Sequence, residues 1–426
     1  MVKPFTPEDL ALFQDLGQLD VSSRGVAACV VRSVDMAQDG YVSTIWTFPL
    51  DAAPARRFTL GTSGENCPRW SPDGRTLAFV SPRDGLPQVH LIAADGGEAR
   101  QLSHLRFGVG SIQWSPDGTK LLATCALPLD PDSGEAAALA DEPRSPDAPE
   151  VAWRVPYKSD GTGYLLARAF HMCSIDAATG EDTPVTRGAF DVMASCWSPD
   201  STRIAYVRTR EGREAHRTDL WIANADGSEA RQVTRDYASV MSPRWSPDGR
   251  WILYSMAVAG NTDVYKVSSS GGGAPVKLTD SPGIDVGGSF SPDGSRIVFE
   301  SDRSGSQQIY VMNADGSDQK RISFFGGRAA TPEWSPRGDQ IAFTHIAGNL
   351  RVAVMSPGGG GLRHLTDSWQ DEAPTWSPNG RIIQFFRTTK TSGKTAIWQV
   401  DLTGRNERKL PTPVDGSDPS WGPIRP

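Results

Sequence analysis

One phrase recurs along this chain and constrains its architecture more than any other feature. Trp-Ser-Pro-Asp-Gly begins at Trp70, Trp114 and Trp245, and returns as Trp197-Ser-Pro-Asp-Ser201, Phe290-Ser-Pro-Asp-Gly294, Trp334-Ser-Pro-Arg-Gly338 and Trp376-Ser-Pro-Asn-Gly380. A worn copy, Val21-Ser-Ser-Arg-Gly25, stands near the start, and a truncated one, Trp421-Gly-Pro423, near the end. The seven aromatic positions from 70 to 376 are separated by 44, 83, 48, 45, 44 and 42 residues. A period in the low forties matches one four-stranded blade of a β-propeller.

Each unit reads alike. A short strand ends on the aromatic residue, Ser-Pro-Asp-Gly turns the chain, and a strand of alternating pattern follows, as in Arg296-Ile-Val-Phe-Glu300. After a loop come a third strand (Gln308–Met312), a second turn (Asn313-Ala-Asp-Gly316) and an outer strand (Lys320–Ser323). Pro presets φ, Asp binds nearby backbone amides and Gly supplies positive φ, so turn chemistry accounts for the repeated Asp residues. The Trp is expected to pack between neighbouring blades.

The 83-residue interval holds one blade with an insertion. Residues 129–150 are rich in Asp, Glu, Ala, Pro and Ser without a strand pattern, and read as a flexible inserted loop. Second-strand signals at Val26–Val31, Thr76–Val80, Lys120–Thr124, Arg203–Val207, Trp251–Met256, Arg296–Phe299, Gln340–Thr344 and Arg381–Arg387 count eight units. The expected fold is all-β: a single β-propeller over residues 1–426 with eight four-stranded blades, seven being the alternative if the first unit is displaced. Closure is expected through the C-terminal strand Asp418–Trp421 pairing with the N-terminal blade, which removes exposed sheet edges.

Composition agrees: 43 Gly, 32 Pro and 13 Trp suit many short strands, tight turns and a recurring aromatic. A net charge of −7 offers no basic footprint for nucleic acid. No run of about twenty apolar residues predicts membrane insertion. The segment Met1–Asp20 carries acids through its apolar stretch and does not read as a secretion leader, which predicts a cytoplasmic protein, or a periplasmic one if a leader was removed. Cys29, Cys67, Cys125, Cys173 and Cys196 form no CxxC and read as buried free thiols.

Catalytic patterns are missing. Gly-x-Ser-x-Gly does not occur, Gly393-Lys-Thr395 lacks the earlier glycine of a phosphate loop, and no HExxH or calcium-loop spacing is present. His90, His104, His171, His216, His345 and His364 are scattered and read as structural. The chain is therefore expected to be no enzyme and to hold no cofactor or metal.

Two resemblances follow from longer stretches. From about Phe5 to Arg235 the chain resembles the propeller of acylaminoacyl-peptidase-type prolyl oligopeptidases, through Pro68–Val80, Gly96–Leu102, Tyr157-Lys-Ser-Asp-Gly161 and His171–Gly180. From about Tyr237 onward it resembles the TolB propeller, through Ser255–Asp263, Lys277–Asp285, Glu300–Gly305, Met312–Ser317, Asp401–Arg408 and Asp415–Trp421. Neither the peptidases' hydrolase domain nor the N-terminal α/β domain of TolB is visible in the sequence. The two resemblances together predict a hybrid, residues 1–235 of one kind and 236–426 of the other, of natural or engineered origin. All five cysteines fall in the first part, which fits that division.

Strands alternate in direction, so the loops joining second to third strands share one end of the blades with the connections between blades. Sequence variety concentrates there, and variable loops are where binding resides. The candidate partner-binding residues are Glu300, Ser301, Asp302, Arg303, Arg328, Asp371, Glu372 and Arg387. The TolB resemblance implies a peptide-like partner at the channel mouth on this end, the lipoprotein Pal among them; a hybrid ring would break a contact spanning both parts and weaken Pal affinity. The main expectation is a monomeric, non-catalytic binding or scaffold propeller. The alternatives are a gating propeller of an oligopeptidase without its hydrolase domain, a TolB-like component of the Tol–Pal envelope system, and an enzyme that uses the central channel.

Overall fold

A computed structural model describes residues 6–50, 53–61, 64–129, 158–159, 163–164, 168–235, 239–271 and 273–416. Its strands form antiparallel meanders of consecutive strands, apart from a separate hairpin, Lys158–Ser159 with Gly163–Tyr164, between the second and third strands of the third meander. Six sheets have four strands, and an eight-stranded sheet is two more meanders joined through the single parallel pair Leu350–Gln370. In order the meanders span 14–57, 66–101, 112–184, 192–232, 239–277, 285–321, 328–364 and 370–409. This is an all-β, propeller-like fold. Each of the eight expected second strands is present, from Val26–Asp35 to Ile382–Thr388.

The third meander resolves the long interval. Lys120–Pro128 pairs directly with Arg168–Asp176, so the insertion sits between the second and third strands of one unit. The loop expected at 129–150 lies outside the described residues apart from Leu129, and so does Tyr157.

The repeated turn works as its composition dictates. In the second meander the Ser71 hydroxyl donates to Asp73 Oδ1 at 2.6 Å, and that oxygen also accepts from the Arg75 amide at 3.0 Å. Gly74 takes a φ of +66°, which a side chain would strain. The Ser–Asp bond recurs at Ser115–Asp117, Ser198–Asp200, Ser246–Asp248 and Ser291–Asp293. Where Arg337 replaces the Asp, Ser335 turns instead to Asp339, two residues on, at 2.8 Å.

The aromatic residue ties neighbours together. Trp114 Nε1 donates to the Arg69 carbonyl of the preceding meander at 2.9 Å, and Trp245, Trp334 and Trp376 reach Cys196, Ser289 and Glu333 in the same way. Burial follows the same logic. Leu77 and Phe79 pack with Ala28 and Ile45 of the first meander, whereas Ala78 and Val80 pack with Ile112 and Trp114 of the third. Successive residues of a strand point to opposite faces, so a sheet held between two neighbours must be apolar on both.

The core consists of such shared layers between consecutive meanders, and a further layer joins the last to the first. There Leu16, Leu19, Val21, Ala27, Cys29 and Phe48 meet Ile397 and Leu410. The expected pairing segment Asp418–Trp421 lies outside the described residues. Among the described residues the first meander has four strands, beginning with Gln14–Val21. Just before the Asp418–Trp421 segment, Gly416 forms a parallel bridge with Leu16.

A second repeated device was not read from the sequence. In the first seven meanders a Ser or Thr just beyond the outer strand accepts a backbone amide of the third strand: Thr59 from Ile45, Ser103 from Val89, Thr186 from Met172, Thr234 from Leu220, Thr279 from Val264, Ser323 from Ile309 and Thr366 from Val352. A buried acid or amide then takes the hydroxyl proton, as Gln88, Asp219, Asp263 and Gln308 do.

Candidate partner-binding face

The strand directions place the Ser-Pro-Asp-Gly turns at one end of the sheets and the second-to-third-strand loops at the other. The candidate residues belong to the sixth, seventh and eighth meanders at or near this loop end. Their side chains divide into two groups.

Ser301, Arg303, Asp371 and Arg387 are engaged within their own meanders. The Arg303 guanidinium binds Asp285 at 2.7 Å, donates to the Ser301 hydroxyl at 2.9 Å, and lies over the Phe299 and Tyr310 rings. Arg387 grips Asp371 through two nitrogens at 2.6 and 2.8 Å, reaches Glu407, and covers Trp398. Asp285 and Asp371 are fully buried. Burial disfavours the charge on Arg387, but its hydrogen bonds to Asp371 and Glu407 outweigh that and raise its pKa. Arg83, Ser81 and Glu65 repeat the arrangement in the second meander. The partners Asp285 and Glu407 were not singled out in the sequence, because each lies about twenty residues from its arginine, a separation that only strand pairing brings together.

Glu300, Asp302, Arg328 and Glu372 are less committed. Asp302 is exposed and accepts the Ile284 amide at 2.7 Å. Glu300 accepts the Thr331 amide at 2.7 Å across to the next meander, and also binds Gln307. Arg328 is exposed and makes no ion pair among the described residues. Glu372 is half-buried beside Gln370.

Large apolar side chains stand among them. Ile284, Phe324 and Trp369 occupy the connections leading into the sixth, seventh and eighth meanders and are 50%, 76% and 42% exposed. Leu60, Leu86 and Met36 are exposed in loops at the same end of the first and second meanders. Isolated apolar residues on a surface are ordinary, but their concentration at one end marks a surface suited to contact. Their sequence signal was a large hydrophobic residue placed in a connection rather than on a strand.

Other polar groups are committed to structure. Buried His171 has both ring nitrogens engaged, by the Thr186 hydroxyl at 3.1 Å and the Gly188 carbonyl at 3.1 Å. His345 and His364 hydrogen-bond each other at 2.7 Å. Among the described residues no group of three His, Cys, Asp or Glu side chains is arranged to hold a metal ion, and no helix is long and apolar enough to cross a membrane.

Comparison with known proteins adds three findings. The family model described as TolB beta propeller domain matches residues 154–425, well over half of the chain. "Tol-Pal system protein TolB 1" of Novosphingobium aromaticivorans is 80% identical over 85 residues, which are 20% of this chain and 19% of that protein, so the match spans about a fifth of the curated relative. Among solved structures, the acylaminoacyl peptidase of Pyrococcus horikoshii superposes with a TM-score of 0.54 at 15% identity, over 94% of this chain and 52% of that one. The β-propeller domain of the Trilobed protease from Pyrococcus furiosus does so with a TM-score of 0.50 at 14% identity, over 95% and 97%. At such identities these two likenesses speak to the fold alone.

The matched span also corrects one expectation. It starts at residue 154 and runs through the seam expected at 235–236, so a hybrid of two propeller types is not supported. The weakened Pal affinity deduced from such a hybrid loses its basis with it.

Proposed function

The chain belongs to the TolB beta propeller domain family, and from that premise we propose that it is a non-catalytic, eight-bladed ring acting as a Tol–Pal envelope component in the periplasm. Residues 1–426 form one domain in this reading, and the ring is closed by the apolar layer between the last and first meanders. Its partner is a protein of the Pal type, docked on the loop end of the sheets by a monomeric propeller.

The observation that carries the proposal is the row of Ile284, Phe324 and Trp369 exposed at the loop end of three consecutive meanders, with Asp302, Arg328, Glu300 and Glu372 beside them. Exposed aromatic and aliphatic anchors with charges around them are what a protein partner's docking segment requires. Among the described residues, the regular, Asp-rich turns at the opposite end offer no comparable apolar surface. Arg303, Asp371 and Arg387 contribute by fixing the loops rather than by touching the partner.

Titrating the full chain into fluorescently labelled Pal tests this. Saturable binding at micromolar concentration or below is expected, weakened at least tenfold by Phe324→Asp or Trp369→Asp. Absence of saturable binding, or unchanged affinity in both variants, would overturn the docking surface. Turnover of chromogenic ester or peptide substrates that tracks the purified chain would overturn the non-catalytic reading.

A further inference from the structure

Two of the five cysteines meet. Cys125 lies in the second strand of the third meander and Cys173 in the third strand. The register sets Cys125 opposite His171 and Cys173 opposite Ala123, so the two thiols occupy diagonal positions on the same face of the sheet. Their sulfur atoms are 2.9 Å apart. Two non-bonded carbon atoms prefer a separation of about 3.5–4.0 Å, and sulfur is larger than carbon, so this is closer than an indifferent contact. Both residues are buried in the layer between the second and third meanders. Cys67 shares that layer, but its sulfur accepts the Ile112 amide. Cys29 belongs to a different layer, and Cys196 packs against a third.

We propose that Cys125 and Cys173 form a disulfide that staples the two strands flanking the long 129–167 excursion. The oxidant is a protein or small-molecule disulfide. One cysteine thiolate attacks it, forming a mixed disulfide and releasing one thiol. The second cysteine then attacks the protein sulfur of that mixed disulfide, which forms the Cys125–Cys173 bond and releases the other thiol. Two electrons and two protons pass from the pair to the oxidant. The neighbouring Cys173 sulfur, and burial beside it, hold the Cys125 thiol in its protonated form once the layer is packed, so exchange takes place while the strands assemble. The bond would limit how far the strands at the foot of the excursion can separate, and it does not depend on which partner the propeller binds.

The test is a thiol count on the full chain refolded in a mixture of oxidised and reduced glutathione, then alkylated in denaturant and mapped by mass spectrometry. Three alkylated cysteines are expected, Cys29, Cys67 and Cys196, with the peptides carrying Cys125 and Cys173 linked. Dithiothreitol should raise the count to five. Five alkylated cysteines without reductant, or a link through Cys67, would overturn the assignment. A second reading uses the unmodified chain: its thermal midpoint should be several degrees higher oxidised than reduced, and equal midpoints would overturn the staple.

Discussion

Leu16, near the start of the chain, and Gly416, near its end, share a parallel backbone bridge. A Cβ at position 416 would come within 2.5 Å of the Leu16 Cβ, so the contact needs glycine there. Leu16 and Leu410 are both buried in the layer between first and last meanders. Leu16→Ala and Leu410→Ala should each cost about 2–5 kcal/mol in urea unfolding. Their combined cost should depart from the sum by more than about 0.5 kcal/mol. Strict additivity would count against a ring closed at this layer.

The Asp371–Arg387 pair should matter far more than an exposed pair. The Asp371 side chain is fully buried and that of Arg387 nearly so. Asp371→Ala leaves the Arg387 cation paired with Glu407 alone and should destabilise by about 3 kcal/mol. Asp15→Ala, which removes an exposed pair with Arg32, should change stability by about 1 kcal/mol or less. Chemical denaturation of both variants makes the comparison.

The hydroxyl clamp can be tested at one repeat. Thr279 accepts the Val264 amide at 3.0 Å and donates to buried Asp263 at 3.2 Å. Thr279→Val keeps the shape but leaves that amide without this acceptor, and should cost about 1–3 kcal/mol. Amide hydrogen exchange at Val264 should accelerate by more than exchange at Val311, in the next meander.

Two buried groups predict opposite responses to pH. Burial, ahead of every opposing contact, lowers the His171 pKa to about 4. Between pH 4 and about 6.5 the unfolded chain binds a proton there that the folded chain does not, so stability falls as pH drops through that window. Burial likewise pushes Glu333 up to about 7. Its folded form holds a proton that the unfolded chain releases above about 4.3, so its contribution is full at low pH and is lost as pH rises through 7. Glu333→Gln should therefore raise the thermal midpoint more at pH 8 than at pH 5, and His171→Asn should flatten the decline between pH 6.5 and 4.

The repeat made the meanders legible because turn chemistry is local: Ser71, Pro72, Asp73 and Gly74 do their work within six residues. The role of Trp114 and its equivalents was also legible, since a large aromatic at a fixed period has to fill a recurring gap between sheets. The partners Asp285 of Arg303 and Glu407 of Arg387 were not, because they become neighbours only through strand register. Register likewise brought Cys125 to Cys173, two residues that separately read as inert core thiols. The first strand of the first meander was less legible than the turns, for a local reason. Gln14–Val21 pairs with Val26–Asp35 despite its weak strand pattern, because it is buried against Ile397 and Leu410.

In the closed ring proposed above, the meeting of Leu16 and Gly416 means a cyclic order rather than a linear one. A short linker joining the segments around them, with a new opening cut at an exposed turn such as Asp315–Gly316, would permute the sequence circularly while preserving the neighbours of every sheet. Where synthesis begins would then affect which sheets form early, and leave the final packing unchanged.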